Sequence, residues 1–114
     1  MLPPDAVPLL IPDWPLPPGV RCCVTTRHGR GSDGPYAGFN LATHVGDDAS
    51  AVAVNRRTLA ATLGLSGEPL WLHQVHGASV VDACRVSRDE VPVADGAVAF
   101  APGAVCVVLT ADCV

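Results

Sequence analysis

Seven of the eleven prolines in this 114-residue chain fall within the first 18 positions. Proline fixes φ and has no backbone N–H, so that stretch can hold neither a helix nor a central strand. Residues 1–18 are therefore expected as an extended lead-in, with Trp14 as an anchor onto the core. Regular structure must be built from residues 19–114, a length that suits one domain. Hydrophobic residues make up 49% and charged residues 16%, which excludes a solvated, disordered chain. The net charge is −4 and all seven basic residues are Arg, so no basic excess exists to neutralise phosphates, and a general nucleic-acid binder is not expected.

No membrane partner is expected either. The longest apolar stretch, Ala97–Leu109, is broken by Pro102 and Gly103. It falls short of the roughly 20 residues a helix needs to cross a bilayer. The N-terminus has no basic n-region, and prolines interrupt any h-region of a secretory signal. The five cysteines are odd in number and none forms a C-x-x-C pair. Reduced thiols in the cytoplasm are the simplest expectation.

Val20–Arg27 alternates with a period of two and predicts a strand. His28–Gly38 carries Gly29, Gly31, Gly34, Pro35 and Gly38 and predicts a long loop, a place where function often sits. Asp47, Asp48 and Ser50 supply N-cap chemistry for a helix running to about Leu63, with Gly64 as its C′ residue. Val52, Arg56, Leu59 and Leu63 share one face of it. Arg56 there either snorkels from the packed face or contacts an anion. Leu70–Val75 and Ser79–Ala83 read as two strands around a turn at His76-Gly77, and Ala94-Asp95-Gly96 as a further turn. Val105–Thr110 reads as a strand buried on both faces. These elements predict an α+β arrangement of strands around one good helix. The sequence stops four residues after that last strand, which leads us to expect a fragment or a core completed by another chain.

Three polar clusters lie where apolar runs end. In Gln74-Val75-His76-Gly77, a regular strand would put His76 on the face of Gln74 and His73 on the other, so the two His would not share one ion. In Thr110-Ala111-Asp112-Cys113, the Cys is either a small hydrophobe or a reactive thiolate. In Asn40 to Asp48, His44 lies between the Gly-rich loop and a helix N-terminus, a position that favours anions.

Taken in order, Thr25-Thr26-Arg27, Asn40-Leu41, His44-Val45-Gly46-Asp47, Asn55-Arg56, Trp71-Leu72, Gln74-Val75-His76-Gly77, Ala94-Asp95-Gly96 and Thr110-Ala111-Asp112-Cys113 resemble the laccase-domain proteins. These were formerly called polyphenol oxidases and are now described as purine nucleoside phosphorylases with adenosine deaminase side activity. The resemblance runs from about Trp14 to the last residue. It implies mixed β-sheets flanked by helices in layers, of which residues 19–114 supply the N-terminal part, truncated after the last strand.

The resemblance also implies one zinc ion, held by His76, Cys113 and a second His that in the family lies further downstream. Zinc accepts both imidazole and thiolate, and three protein ligands leave a position open for chemistry. The implied substrates are a purine nucleoside (adenosine, inosine or methylthioadenosine) and phosphate. Arg27 and Arg56 are candidates for phosphate on the chemistry of guanidinium, and His44 for substrate or phosphate. A different reading of the same pair is a Cys–His hydrolase with Cys113 as nucleophile and His76 as base. A third is an inactive truncated chain. Copper-dependent phenol oxidation does not suit a sequence whose His28, His44 and His73 are scattered.

Overall fold

The computed structural model describes residues 9–28, 31–65, 67–87 and 89–110. It is a mixed structure of short strands and one long helix, as the sequence predicts, and it divides into two units at Thr62.

In the first unit, β1 (Leu9–Leu10) pairs antiparallel with β2 (Val24–Thr25), Leu9 opposite Thr25. The lead-in thus contributes a two-residue edge pairing between its prolines, where no ladder needs a proline N–H. Trp14 does not insert into the core as expected. It is 60% exposed, and its indole N–H donates to Cys22 Sγ at 3.2 Å. The indole has a polar group to satisfy, and the thiol beside it satisfies that group at the surface. Only two residues of the predicted Val20–Arg27 strand join a ladder, because both Val20 and Val24 are exposed and no buried face selects the register.

The Gly-rich loop closes on itself. Ser32 and Gly38 exchange backbone hydrogen bonds of 2.9 and 3.2 Å around a short 3-10 turn at Gly34–Tyr36. The Phe39 amide then donates to the Arg27 carbonyl at 3.0 Å. Gly38 sits at φ 116, and a Cβ there would fall on that same carbonyl oxygen. The position admits only glycine.

Helix α1 (Ala49–Leu63) follows. Asp48 is its N-cap: its carboxylate accepts from the Ser50 amide at 3.1 Å, and its carbonyl takes the first helical bond from Val52. The helix ends where Gly64 takes φ 64. Its buried residues are Val52, Asn55 and Leu59. Among the described residues of this unit, Phe39 and Leu41 are the other buried apolar side chains.

The second unit is a parallel arrangement. β3 (Val80–Asp82) pairs in parallel with β4 (Gly96–Val98). Single parallel bridges join Leu70 to Cys106 and His73 to Val93. Segments 70–75 and 79–83 therefore do not pair with each other; each pairs with a partner downstream. The core is Leu70, Leu72, Ala83 and Ala94, flanked by Val81, Val86, Ala97 and Ala104. Burying Leu70 and Leu72 contributes about 1.5–3 kcal/mol each. Ala94, expected in a turn, is fully buried, and Gly96 begins a strand. Val105–Thr110 is not buried on both faces: Val105, Val107 and Leu109 are half-buried while Cys106, Val108 and Thr110 are exposed. Nor is it a regular strand: only Cys106 pairs, in the single bridge to Leu70, and with core on one side alone the rest of the segment has no ladder to join. Cys22, Cys23 and Cys84 carry unbridged thiols, and burial pushes the Cys23 thiol upward, helped by Cys22. No described helix is long and apolar enough to cross a membrane.

Candidate functional site

The segment Leu70–Val75, buried at Leu70, Trp71 and Leu72 and exposed at His73 and Val75, carries the chain out of the core of the second unit to His76. His76 has φ 61, so it does not continue as a strand residue and does not share Gln74's face in the regular way expected. Its side chain is exposed, as is Gly77 after it. The turn is held by one carboxylate. Asp95 Oδ1 accepts from the Val75 amide at 3.1 Å and the His76 amide at 2.8 Å, and Oδ2 accepts from the Gly77 amide at 2.8 Å. The Gly77 bond, with those of His76 and Val75 and the nearby His76 charge, holds the Asp95 carboxyl below the usual range against the opposing effect of burial.

Gln74 reaches the other way. Its Nε2 donates to the Leu109 carbonyl at 3.1 Å, and its Oε1 accepts from the Leu109 amide at 2.7 Å. A side-chain amide thus takes both backbone groups of one residue, as a neighbouring strand would. Three of the motifs meet here: Gln74–Gly77, Ala94–Gly96 and the segment leading to Thr110. Asp112 and Cys113 lie outside the described residues, as do Gly29 and Arg30 of the loop. Among the described residues no three His, Cys, Asp or Glu side chains are grouped as a metal site. His73 is exposed, and its backbone is engaged with Pro92 and Ala94.

A separate depression of about 570 Å³ in this unit is lined by Glu68, Trp71, Asp89, Glu90 and Pro92 among others, and by none of the expected site residues. Three carboxylates in its wall make it unfit for phosphate.

The other candidates belong to the first unit, where a polar network organises them. Asn55, 1% exposed, donates from Nδ2 to Ser32 Oγ at 3.1 Å and to the Asn40 carbonyl at 2.7 Å. Ser32 Oγ donates in turn to Asp47, which also accepts from Asn40 Nδ2 at 3.1 Å and the Asp48 amide at 2.8 Å. The network ties the Gly-rich loop and the Asn40–Asp47 stretch to α1. Arg56 Nε donates to the Leu41 carbonyl at 2.9 Å, so part of its guanidinium serves the same fastening. Arg27 is exposed, and its carbonyl receives Phe39. His44 is exposed in the bend before the helix. The helix terminus beside it is already occupied by the Asp48 carboxylate, so it offers no vacant anion site.

Asp95 and Asn55 are the residues whose importance the local pattern hides. Asp95 reads as turn chemistry, and its acceptors' partners lie 18 to 20 positions away. Asn55 falls on a helix face otherwise marked by apolar residues, and only its polarity at a core position hints at a network.

The Ser32 and Asn40 bonds, in that order, hold the Asp47 carboxyl below its ordinary range. A carboxyl lowered on folding stabilises the fold above its unfolded value of about 3.9. That contribution drains away as pH falls from there through the native value. Asp47→Asn should therefore melt lower than the parent at neutral pH, with the gap closing below about pH 4. A gap that stays constant in melts across this range counts against the network.

Residues 21–114 match the model of the family described as multi-copper polyphenol oxidoreductase laccase. A protein of Pseudomonas aeruginosa named purine nucleoside phosphorylase is 49% identical over 106 residues, which is 91% of this chain and 41% of that one. An Escherichia coli protein of the same name is 42% identical over 105 residues, covering 92% of this chain and 43% of that one. The crystal structure of a Neisseria meningitidis protein of family-model DUF152 superposes with a TM-score of 0.81 at 41% identity, over 92% of this chain and 42% of that one. The chain thus spans about two fifths of the length of the relatives it matches. With the motifs in order and the fold matched, the chain belongs to the multi-copper polyphenol oxidoreductase laccase family.

Proposed function

We propose that the protein carrying this chain is a zinc-dependent purine nucleoside phosphorylase of the cytoplasm, with adenosine deamination as a side activity. The observation that carries the reading is that Gln74 bonds the Leu109 backbone, on the segment that precedes Cys113 in the sequence, while Asp95 holds the adjoining turn at His76. The names of the Pseudomonas aeruginosa and Escherichia coli relatives support the reaction class.

The donor set suits the metal. His76 presents an exposed imidazole on a turn whose backbone is held by three hydrogen bonds, and a thiolate at Cys113 is the softer partner that zinc also accepts. His76 and Cys113 would hold the ion, with a third ligand from elsewhere in the protein. Zinc supplies Lewis acidity at that place. The protein's own residues do the rest. Guanidinium groups pair bidentately with phosphate, and Arg27 and Arg56 are the candidates, with His44 as a donor to substrate or phosphate. Phosphorolysis needs the phosphate held against the anomeric carbon while the base leaves, and that positioning lowers the barrier by paying the entropy of encounter in advance.

The full-length protein is expected to release adenine from adenosine only when phosphate is present. A chelator should remove that activity and added zinc restore it, with iodoacetamide protection by zinc. Turnover that survives the chelator and is lost to iodoacetamide would identify a Cys–His hydrolase instead.

A further inference from the structure

The amides of Val75, His76 and Gly77 all point at the carboxylate of one residue, Asp95. Successive backbone N–H groups around an anion form a nest. Here the anion is a side chain of the same protein, delivered from the start of the neighbouring parallel strand.

Asp95 is itself fastened from behind. Its amide donates to the Ser79 carbonyl at 3.0 Å, and the amide of the fully buried Ala94 donates to the His73 carbonyl at 3.1 Å. The carboxylate is thus carried by core-anchored backbone. His76 is the only described residue other than glycine with positive φ. A side chain with a Cβ seldom takes that conformation, and it persists only where the surroundings over-determine it. The three bonds from Asp95 are that determination. A left-handed residue turns its Cα–Cβ bond away from the direction it would take in an extended segment, so this backbone state sets where the imidazole leaves the chain.

We infer that Asp95 is a positioning residue for His76, holding it in the left-handed turn that aims its imidazole at the metal. This rests on the reading of His76 as a zinc ligand. A group that orients a metal ligand is worth about tenfold to a hundredfold in metal affinity. Asp95→Asn keeps the shape of the side chain but replaces one acceptor oxygen by a donor, which cannot meet an amide N–H.

The test uses the full-length protein loaded with zinc, and separately with cobalt as a spectroscopic reporter. Asp95→Asn, Asp95→Glu and His76→Ala are compared by chelator competition for zinc, by the visible cobalt spectrum, and by melting temperature. Asp95→Asn is expected to bind zinc about tenfold to a hundredfold more weakly and to shift the cobalt spectrum, with Asp95→Glu between it and the parent. Asp95→Glu carries the comparison alone should Asp95→Asn fail to fold. If His76→Ala loses zinc while the Asp95 variants keep the parent's affinity and spectrum, the role of Asp95 is overturned and the ligand reading stands. A lowered melting temperature with an unchanged spectrum overturns it in the same way. If His76→Ala binds zinc as the parent does, the ligand reading itself is overturned, and the proposal with it.

Discussion

Replacing Gly38 by Ala is expected to destabilise the protein by about 3–5 kcal/mol. Two penalties coincide at this one position. The backbone sits at φ 116, where an L side chain is strained in any surroundings. The added methyl would also fall on the Arg27 carbonyl oxygen, and that oxygen is committed to the Phe39 amide. The oxygen is backbone, so relief requires the whole loop closure between Arg27 and Phe39 to open. Gly67→Ala is the matched control: nothing lies within 4 Å of a Cβ there and its φ is ordinary. It should stay within about 0.5 kcal/mol of the parent. Urea unfolding of both variants checks the pair. Equal midpoints would mean that the loop does not close as described.

His76→Ala and Cys113→Ala are each expected to reduce phosphorolysis of adenosine at least a thousandfold, a loss of about 4 kcal/mol of transition-state stabilisation. The two residues act as one unit under the proposed function. The double variant should therefore be no worse than either single one. Additive losses, measured as kcat/KM under saturating phosphate, would separate the two side chains into independent roles. His44→Ala and Arg27→Ala are the contrast. Loss of a residue that binds phosphate raises the KM for phosphate, whereas loss of a metal ligand removes kcat.

Much of the first unit is legible in the sequence because its signals are local. The Asp47, Asp48 and Ser50 cluster and Gly64 bracket α1, and the structure selects Asp48 as the cap, since caps depend on neighbours a few positions away. The clustered glycines announce the loop. What stays hidden is the use of polar side chains across distance. Asn55, Ser32 and Asp47 build one network from three separate stretches, and nothing near any of them names its partners. In the second unit, Leu70–Val75 and Ser79–Ala83 look like a hairpin because they are adjacent, extended and joined at a glycine. Local pattern does not distinguish that from a bridged segment and a short strand whose parallel partners lie further on. Ala94-Asp95-Gly96 has the composition of a turn, yet its Ala is core and its Asp serves another turn. His76 is visible as a candidate from its place at the end of an apolar run. Its left-handed backbone is not, because it is imposed by a residue 19 positions later.

That separation has a consequence for how the protein is made. The three bonds from Asp95 span 18 to 20 residues, and the Gln74–Leu109 pair spans 35. Each must wait for the closure of a loop of that length, and contacts of long sequence separation form late. On the ribosome, α1 can form as soon as its own residues emerge, but the turn at His76 has no holder until Asp95 is outside the exit tunnel. The left-handed turn is thus a product of late folding, and a nascent chain halted between residues 77 and 95 would carry His76 without the backbone state that Asp95 holds.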